Sequence, residues 1–180
     1  MITRPPRGGL VTVPYDRGVE LRDNDLLLRP IEARDAAGLV EGLDDPETVR
    51  FMLAIPSPYT IVDAQDWVER CASAWQTGAA YPFAIVDSGS GALLGSIELQ
   101  GGNTIGYWVA RDAWGRGIAT RALKLLCAWA SERPLRLTTH PDNVGSQRVA
   151  EKAGFRRVGT TTHDVPFEDG TREAFLFELR

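Results

Sequence analysis

The stretch Asn103–Trp129, NTIGYWVARDAWGRGIATRALKLLCAW, reads as a strand, a short loop and a helix. Thr104 to Ala110 is rich in β-branched and aromatic residues and ends on the polar pair Arg111-Asp112, which marks a strand. From Ile118 the spacing becomes helical, with Ile118, Ala122, Leu125, Leu126 and Trp129 on one face. Between them lies Trp114-Gly115-Arg116-Gly117-Ile118-Ala119-Thr120. Glycines here let the backbone turn tightly and bring its N–H groups close to a ligand. At a helix N-terminus, unpaired donors and the helix dipole favour an anion, and the Arg116 guanidinium suits phosphate. Two readings stand: a pyrophosphate cradle, or a turn whose glycines only relieve crowding. No Gly-Lys-Ser/Thr follows, so this is not a P-loop. The spacing after Ala119 also lacks the third glycine of a dinucleotide fingerprint.

The rest of the composition narrows the choices. The 180 residues suit one domain, and 43% hydrophobic with 24% charged residues is ordinary for a globular protein. A net charge of −4 argues against a nucleic-acid binder driven by phosphate attraction. Arg111, Arg116, Arg121 and Lys124 still cluster in the opening stretch. Cys71 and Cys127 fall on apolar helix faces, as buried free thiols in a reducing compartment would. Two separated cysteines and two separated histidines, His140 and His163, do not build a metal site. No apolar run is long enough to span a membrane, and MITRPPRGG is not followed by an apolar h-region. The expectation is a cytoplasmic protein without metal, membrane or nucleic-acid partners; its arginine-rich, lysine-poor composition fits a GC-rich bacterial genome.

Residues 1–24 read as an extension, partly loose and with short strands at Leu10–Val13 and Val19–Arg22. Leu26–Pro30 is a firmer strand, closed by proline. Ala36, Leu39, Val40 and Leu43 give Ala33–Leu43 a helical period, and Pro46 suits the first turn of a short helix to Met52. Ile61–Thr77 is a helix stopped by Gly78. Tyr81–Val86 and Leu93–Leu99 form a hairpin around Asp87-Ser88-Gly89-Ser90-Gly91. Leu135–Thr139 is a strand, Asp142–Ala153 a helix, and Arg156–Val165 with Glu173–Leu179 a closing hairpin. The order predicts an α+β domain over residues 25–180, its twisted sheet mixed but mostly antiparallel and flanked by helices on both faces. The crossover through Ile118–Trp129 makes Thr104–Ala110 and Leu135–Thr139 parallel neighbours.

A second motif, Pro141-Asp142-Asn143-Val144-Gly145-Ser146-Gln147-Arg148-Val149-Ala150-Glu151-Lys152-Ala153-Gly154-Phe155, follows the strand expected beside the glycine loop. Singly, Asn143 reads as a helix N-cap and Gly154 as a C-terminal glycine. Together, IGYWVARDAWGRGIATRAL and HPDNVGSQRVAEKAGFRRVG resemble the GCN5-related N-acetyltransferases (GNAT), in particular the RimJ/RimL branch that acetylates ribosomal protein N-termini. The resemblance runs from Leu26-Leu27-Leu28-Arg29-Pro30-Ile31 through Ala84-Ile85-Val86 and Leu94-Gly95-Ser96-Ile97 to the C-terminus.

The resemblance implies acetyl-CoA as the anionic ligand. Backbone N–H groups of Arg116, Gly117, Ile118, Ala119 and Thr120, with Trp114 and Gly115 shaping the loop, would hold its pyrophosphate. Tyr107-Trp108-Val109 would splay from Leu135–Thr139, so that the pantetheine arm pairs with the strand edge. Asn143 would hydrogen-bond that arm, and Arg148 or Lys152 would meet the adenosine phosphate. A backbone N–H of Trp108 or Val109 would polarise the thioester carbonyl. Many relatives place a tyrosine acid seven residues after the asparagine, where this chain has Ala150, and Ser146 is the expected substitute at the thiol end. Many also carry a glutamate just before Ile-Gly-Tyr, where this chain has Thr104. Glu98 on the preceding strand is the expected base, with His163, Glu168 or a water chain as alternatives.

Phe51, Met52, Tyr59 and Trp75 are candidates for the acceptor side, with core packing the expected fate of most of them, and Asp164, Glu168 and Asp169 would favour a cationic acceptor. The acceptor implied is a protein N-terminal α-amine. The alternatives are a small-molecule amine (amino acid, polyamine or antibiotic) or a non-catalytic acetyl-CoA-binding module. Monomer and homodimer are both open.

Overall fold

The computed structural model describes residues 19–180 apart from Ala54 and residues 131–133; the expected strand at Leu10–Val13 lies outside them. Among the described residues, eight strands form one sheet in the order β1-β2-β3-β4-β5-β6-β8-β7. In chain order β1 is Leu21–Asp23, β2 Leu26–Pro30, β3 Ala80–Asp87, β4 Leu93–Gln100, β5 Thr104–Val109, β6 Leu135–Thr139, β7 Arg156–Thr162 and β8 Glu173–Leu179. The helices are α1 Ala36–Leu43, α2 Pro46–Val49, α3 Ile61–Thr77, α4 Ile118–Trp129 and α5 Val144–Lys152. All strand pairs are antiparallel except β5 with β6.

Helix ends follow local chemistry. Thr60 and Asp63 close a capping box at the start of α3, and Gly78, left-handed at φ 71°, ends it. Asp45 caps α2, and the Asn143 side chain accepts from the Ser146 N–H at the head of α5. Helix α2 stops at Val49, short of the expected Met52, and Ala33–Asp35 is a 3-10 turn leading into α1.

Strand alternation sorts side chains onto two faces. Phe83, Ile85, Ile97, Leu99, Ile105 and Val109 pack with Ile118, Ala122, Leu123 and Leu126 of α4. Ala84 and Val86 face the other way and pack with Leu39 and Leu43 of α1 and with Ala64 and Cys71 of α3. Each face is therefore covered by helix. At the start of β3 the two layers meet in a cluster of Trp75, Tyr81, Phe83 and Trp129, mostly edge to face. The Trp75 indole N–H donates to Pro82 O at 2.8 Å. Of the four candidates for the acceptor side, Trp75 and Tyr59 are buried core residues, the fate expected of most of them. Aromatic bulk satisfied the packing demand first.

The terminal hairpin enters with its second strand innermost: β8 pairs with β6 along Leu135–Thr139, and β7 becomes the sheet edge. Arg29 and Asp35 form a buried two-point ion pair (2.7 and 2.8 Å) that fixes the turn from β2 into α1. Both cysteines are buried, and burial pushes the Cys71 thiol up to about 12. No helix among the described residues is long and apolar enough to cross a membrane.

Candidate active site

Strands β5 and β6 share one register pair, Thr104 with Arg136. Beyond it they diverge toward their C-terminal ends, the place where parallel strands leave a crevice for ligands. A cavity of about 600 Å³ opens there. Its walls come from α2 and the residues after it (Glu47, Thr48, Phe51, Met52), from β5 (Tyr107, Trp108, Val109), from the glycine loop and α4, and from α5 with its leading turn.

The β5 edge is open because, among the described residues, no strand pairs with its outer half. The Ala110 N–H donates to Leu94 O at 2.8 Å, and a Cβ on Gly95 would lie 2.2 Å from Trp108 O. The peptide groups of Trp108 and Ala110 therefore point at β4, and by alternation those of Tyr107 and Val109 point into the crevice. Of the two backbone donors expected from sequence, Val109 is the one aimed at the cavity. Its carbonyl is occupied by the Trp114 indole N–H at 2.7 Å, which leaves the Val109 N–H. The Trp108 side chain points to the α1 layer, where a Cβ on Gly42 would meet its ring at 2.6 Å. That contact explains why α1 carries glycine there.

The α4 N-terminus forms the second wall. Gly115 (φ 74°) and Gly117 (φ 75°) are left-handed, and a Cβ on either would meet nothing within 4 Å. Glycine is required here by backbone conformation, not by crowding. The first bond of the helix is Arg121 N–H to Gly117 O, so the N–H groups of Ile118, Ala119 and Thr120 have no partner within the helix. Among the described residues no side chain caps them, although α2, α3 and α5 are each capped by a side chain. Gly115, Gly117, Ile118, Ala119 and Thr120 all line the cavity. Uncapped amides at a helix N-terminus facing an open cavity fit a pyrophosphate. Arg121 ties this end of α4 to the β1–β2 turn through Asp23 (2.7 Å) and Asp25 (2.7 Å).

Helix α5 supplies the third wall. Asn143, Ser146, Arg148 and Lys152 line the cavity, the last two adding positive charge. Asn143 Oδ1 is engaged by the Ser146 N–H at 2.9 Å, so capping occupies the carbonyl half of that amide. The Ser146 hydroxyl lies 2.8 Å from the hydroxyl of Tyr107 on β5. Sequence reasoning gave Tyr107 no side-chain role, because the contact joins residues 39 apart. Burial pushes the Tyr107 phenol up to about 12.

Two expected site residues do not line the cavity. Arg116 is exposed and acts on Asp87, whose carboxyl is held below its ordinary value mainly by hydrogen bonds to Ser90, with the Arg116 charge adding to the effect. Glu98 sits across from Gly106 on β5, half-buried on the α1/α3 face, and accepts a hydrogen bond from Gln100. Burial raises its carboxyl above the ordinary glutamate value. It is two pairs along the β4–β5 ladder from Ser96–Trp108, the next pair on the same face, and so neighbours the wall of the cavity without reaching it.

His140 holds the turn before α5. Its buried ring stacks on Phe51 (5.0 Å between centroids) and meets Phe167 edge to face (4.8 Å). Nδ1 accepts the Asp142 N–H at 3.0 Å, which places the ring proton on Nε2 facing Asp169 Oδ2 at 3.1 Å. Asp169, expected to greet a cationic acceptor, thus fastens the terminal hairpin to this turn. His163 pairs with Thr138 at 3.2 Å. Among the described residues no cluster of three or more His, Cys, Asp or Glu could hold a metal ion.

Known proteins fit this geometry. Residues 25–156 match the acetyltransferase (GNAT) domain family. A Bacillus licheniformis protein called uncharacterized N-acetyltransferase p20 is 26% identical over 165 residues, 86% of this chain and 92% of its own length. Among solved structures, Mycobacterium smegmatis RimJ in complex with CoA-disulfide superposes with a TM-score of 0.78 at 22% identity, covering 92% of this chain and 88% of that one. RimL, the ribosomal L7/L12 alpha-N-protein acetyltransferase, in complex with coenzyme A, gives a TM-score of 0.79 at 16% identity, covering 89% and 97%. With the family match spanning most of the chain and the splayed pair in place, the chain belongs to the GNAT family of N-acetyltransferases.

Proposed function

We propose that the cavity binds acetyl-CoA and transfers its acetyl group to the α-amine of a protein N-terminus. The observation that carries this reading is the convergence of two unsatisfied backbone surfaces on one cavity: the uncapped amides of α4 and the open edge of β5. The first suits a pyrophosphate. The second suits a ligand arm with alternating amide donors and acceptors, added like a strand. Arg148 and Lys152 supply charge for the remaining phosphate.

In this reading the Val109 N–H donates to the thioester carbonyl and stabilises its developing negative charge. Ser146 serves the sulfur. A neutral amine is needed for attack, and Glu98 takes the ammonium proton through water: its burial favours the protonated carboxyl, which brings its pKa nearer to working pH. The acceptor enters past Phe51 and Met52, whose apolar side chains line the same cavity. The likeness to RimL, an α-N-protein acetyltransferase, supports a protein terminus as acceptor. The test is CoA release from acetyl-CoA across a panel of peptides with free α-amines, matched N-blocked peptides, free amino acids and polyamines. Turnover confined to free-α-amine peptides is the expected result. Turnover of amino acids or polyamines alone would transfer the reading to a small-molecule amine, and binding without turnover of any acceptor would leave a binding module.

A further inference from the structure

We propose that Tyr107 is a positioning residue for the transfer: its hydroxyl orients the Ser146 hydroxyl so that the serine proton faces the sulfur of the departing thiol. This rests on the reading of the cavity as an acetyl-CoA site. Both side chains line that cavity, and their oxygens are 2.8 Å apart. The Tyr107 hydroxyl also donates toward the Ser146 carbonyl oxygen at 3.3 Å, so among the described residues both of its hydrogen-bond contacts are with this one residue of α5.

The Tyr107 hydroxyl has one proton and two acceptors on Ser146, Oγ at 2.8 Å and the carbonyl oxygen at 3.3 Å; we assign that proton to the shorter contact. A first-turn helix serine ordinarily turns its hydroxyl back to a backbone carbonyl. Here, among the described residues, the Ser146 hydroxyl meets only Tyr107. The phenol is the more acidic hydroxyl and the better donor, and its burial keeps it protonated. When it donates to Ser146 Oγ, the serine proton is free for another acceptor, and the open side is the cavity. During transfer the amine nitrogen bonds to the acetyl carbon and the C–S bond breaks. The electron pair goes to sulfur, and the ammonium proton leaves through water. Ser146 then donates a hydrogen bond to the thiolate, and both hydroxyls keep their own protons. Ala150, the position where relatives carry a tyrosine, is fully buried, so the phenol near the sulfur comes from β5.

The test compares Tyr107→Phe, Ser146→Ala and the double variant by calorimetry with CoA and with desulfo-CoA, which lacks only the thiol. Tyr107→Phe keeps the ring, and Ser146→Ala keeps the backbone N–H used by the Asn143 cap, so both should fold, with melting temperature as the check. Each single variant should lose roughly five- to tenfold in CoA affinity, the worth of about one hydrogen bond, with desulfo-CoA binding unchanged. The double variant should be no worse than Ser146→Ala. In transfer assays Tyr107→Phe should lower kcat with the acetyl-CoA KM less affected. Equal losses for both ligands, no loss with Tyr107→Phe, or losses that multiply in the double variant would overturn the proposal. Failure of the unaltered protein to bind either ligand would instead overturn the acetyl-CoA reading beneath it.

Discussion

Gly117 is the position where backbone geometry and ligand electrostatics can be separated. It is the N-cap of α4, left-handed at φ 75°, with nothing within 4 Å of a Cβ built on it. Gly117→Ala therefore meets no steric wall, and its cost is conformational, about 1–2 kcal/mol for an L-residue in this region. For a chain of this size that lowers Tm by roughly 2–4 °C per kcal/mol. Gly117→Glu carries a comparable backbone cost and adds a carboxylate beside the amides of Ile118, Ala119 and Thr120. At roughly 5 Å from one phosphate charge and an effective dielectric near 20, the repulsion is about 3 kcal/mol, or about a hundredfold in affinity. Calorimetric titration of both variants with acetyl-CoA, at two ionic strengths, isolates the charge. The alanine variant should bind within a few-fold of the unaltered chain. The glutamate variant should be weaker by about two orders of magnitude, with the gap narrowing as salt rises. A glutamate variant that binds as well as the alanine variant would refute the placement of the pyrophosphate at α4.

Three further outcomes are expected. Burial raises the Glu98 pKa, so its stabilising contribution is present when the carboxyl is protonated, below the unfolded glutamate value, and is lost as pH rises through the folded value. Glu98→Gln should thus raise Tm at pH 8 more than at pH 4, and should abolish the acidic limb of the kcat/KM profile; an unchanged limb would remove Glu98 as base. His140→Ala empties the slot between Phe51 and Phe167 and cuts the tie to Asp169, which should cost about 3 kcal/mol in urea denaturation. A loss below about 1 kcal/mol would show that the tie carries little, since ordinary surface substitutions fall in that range. Gly42→Ala pushes a methyl to 2.6 Å from the Trp108 ring, and overpacking of about 1–3 kcal/mol should follow, with a raised acetyl-CoA KM. An unchanged KM would disconnect the α1 layer from the site.

Local signals carried much of the fold. The periodicity of Ile118–Trp129 and the Gly78 stop after Thr77 fall on the observed helix bounds, because capping and amphipathic spacing act within a few residues. The parallel β5–β6 pair also followed from the crossover rule. The entry of β8 between β6 and β7 was not legible: a hairpin sequence defines its own pairing but not which strand docks on the sheet. The inward aim of the Val109 peptide was readable in part, since Ile105, Tyr107 and Val109 share a face, but choosing Val109 over Trp108 needed the Ala110–Leu94 bond. Core packing was the expected fate of most of Phe51, Met52, Tyr59 and Trp75, but which of them would fill the space between layers (Tyr59 and Trp75) and which would line the cavity (Phe51 and Met52) no single segment reveals. The Tyr107–Ser146 contact depends on where α5 lands against β5, and sequence spacing says nothing of that.

The central claim is that acetyl-CoA lies with its pyrophosphate on the α4 amides and its thioester at β5. Backbone amide shifts followed during titration of the labelled protein test it directly, using acetyl-CoA and, in parallel, a truncated acetyl thioester of pantetheine that lacks the pyrophosphate. Acetyl-CoA should shift Gly117, Ile118, Ala119 and Thr120 together with Val109, whereas the truncated thioester should shift Val109 and leave the α4 amides in place. Unmoved α4 amides at saturating acetyl-CoA, or α4 shifts produced equally by the truncated thioester, would contradict the account.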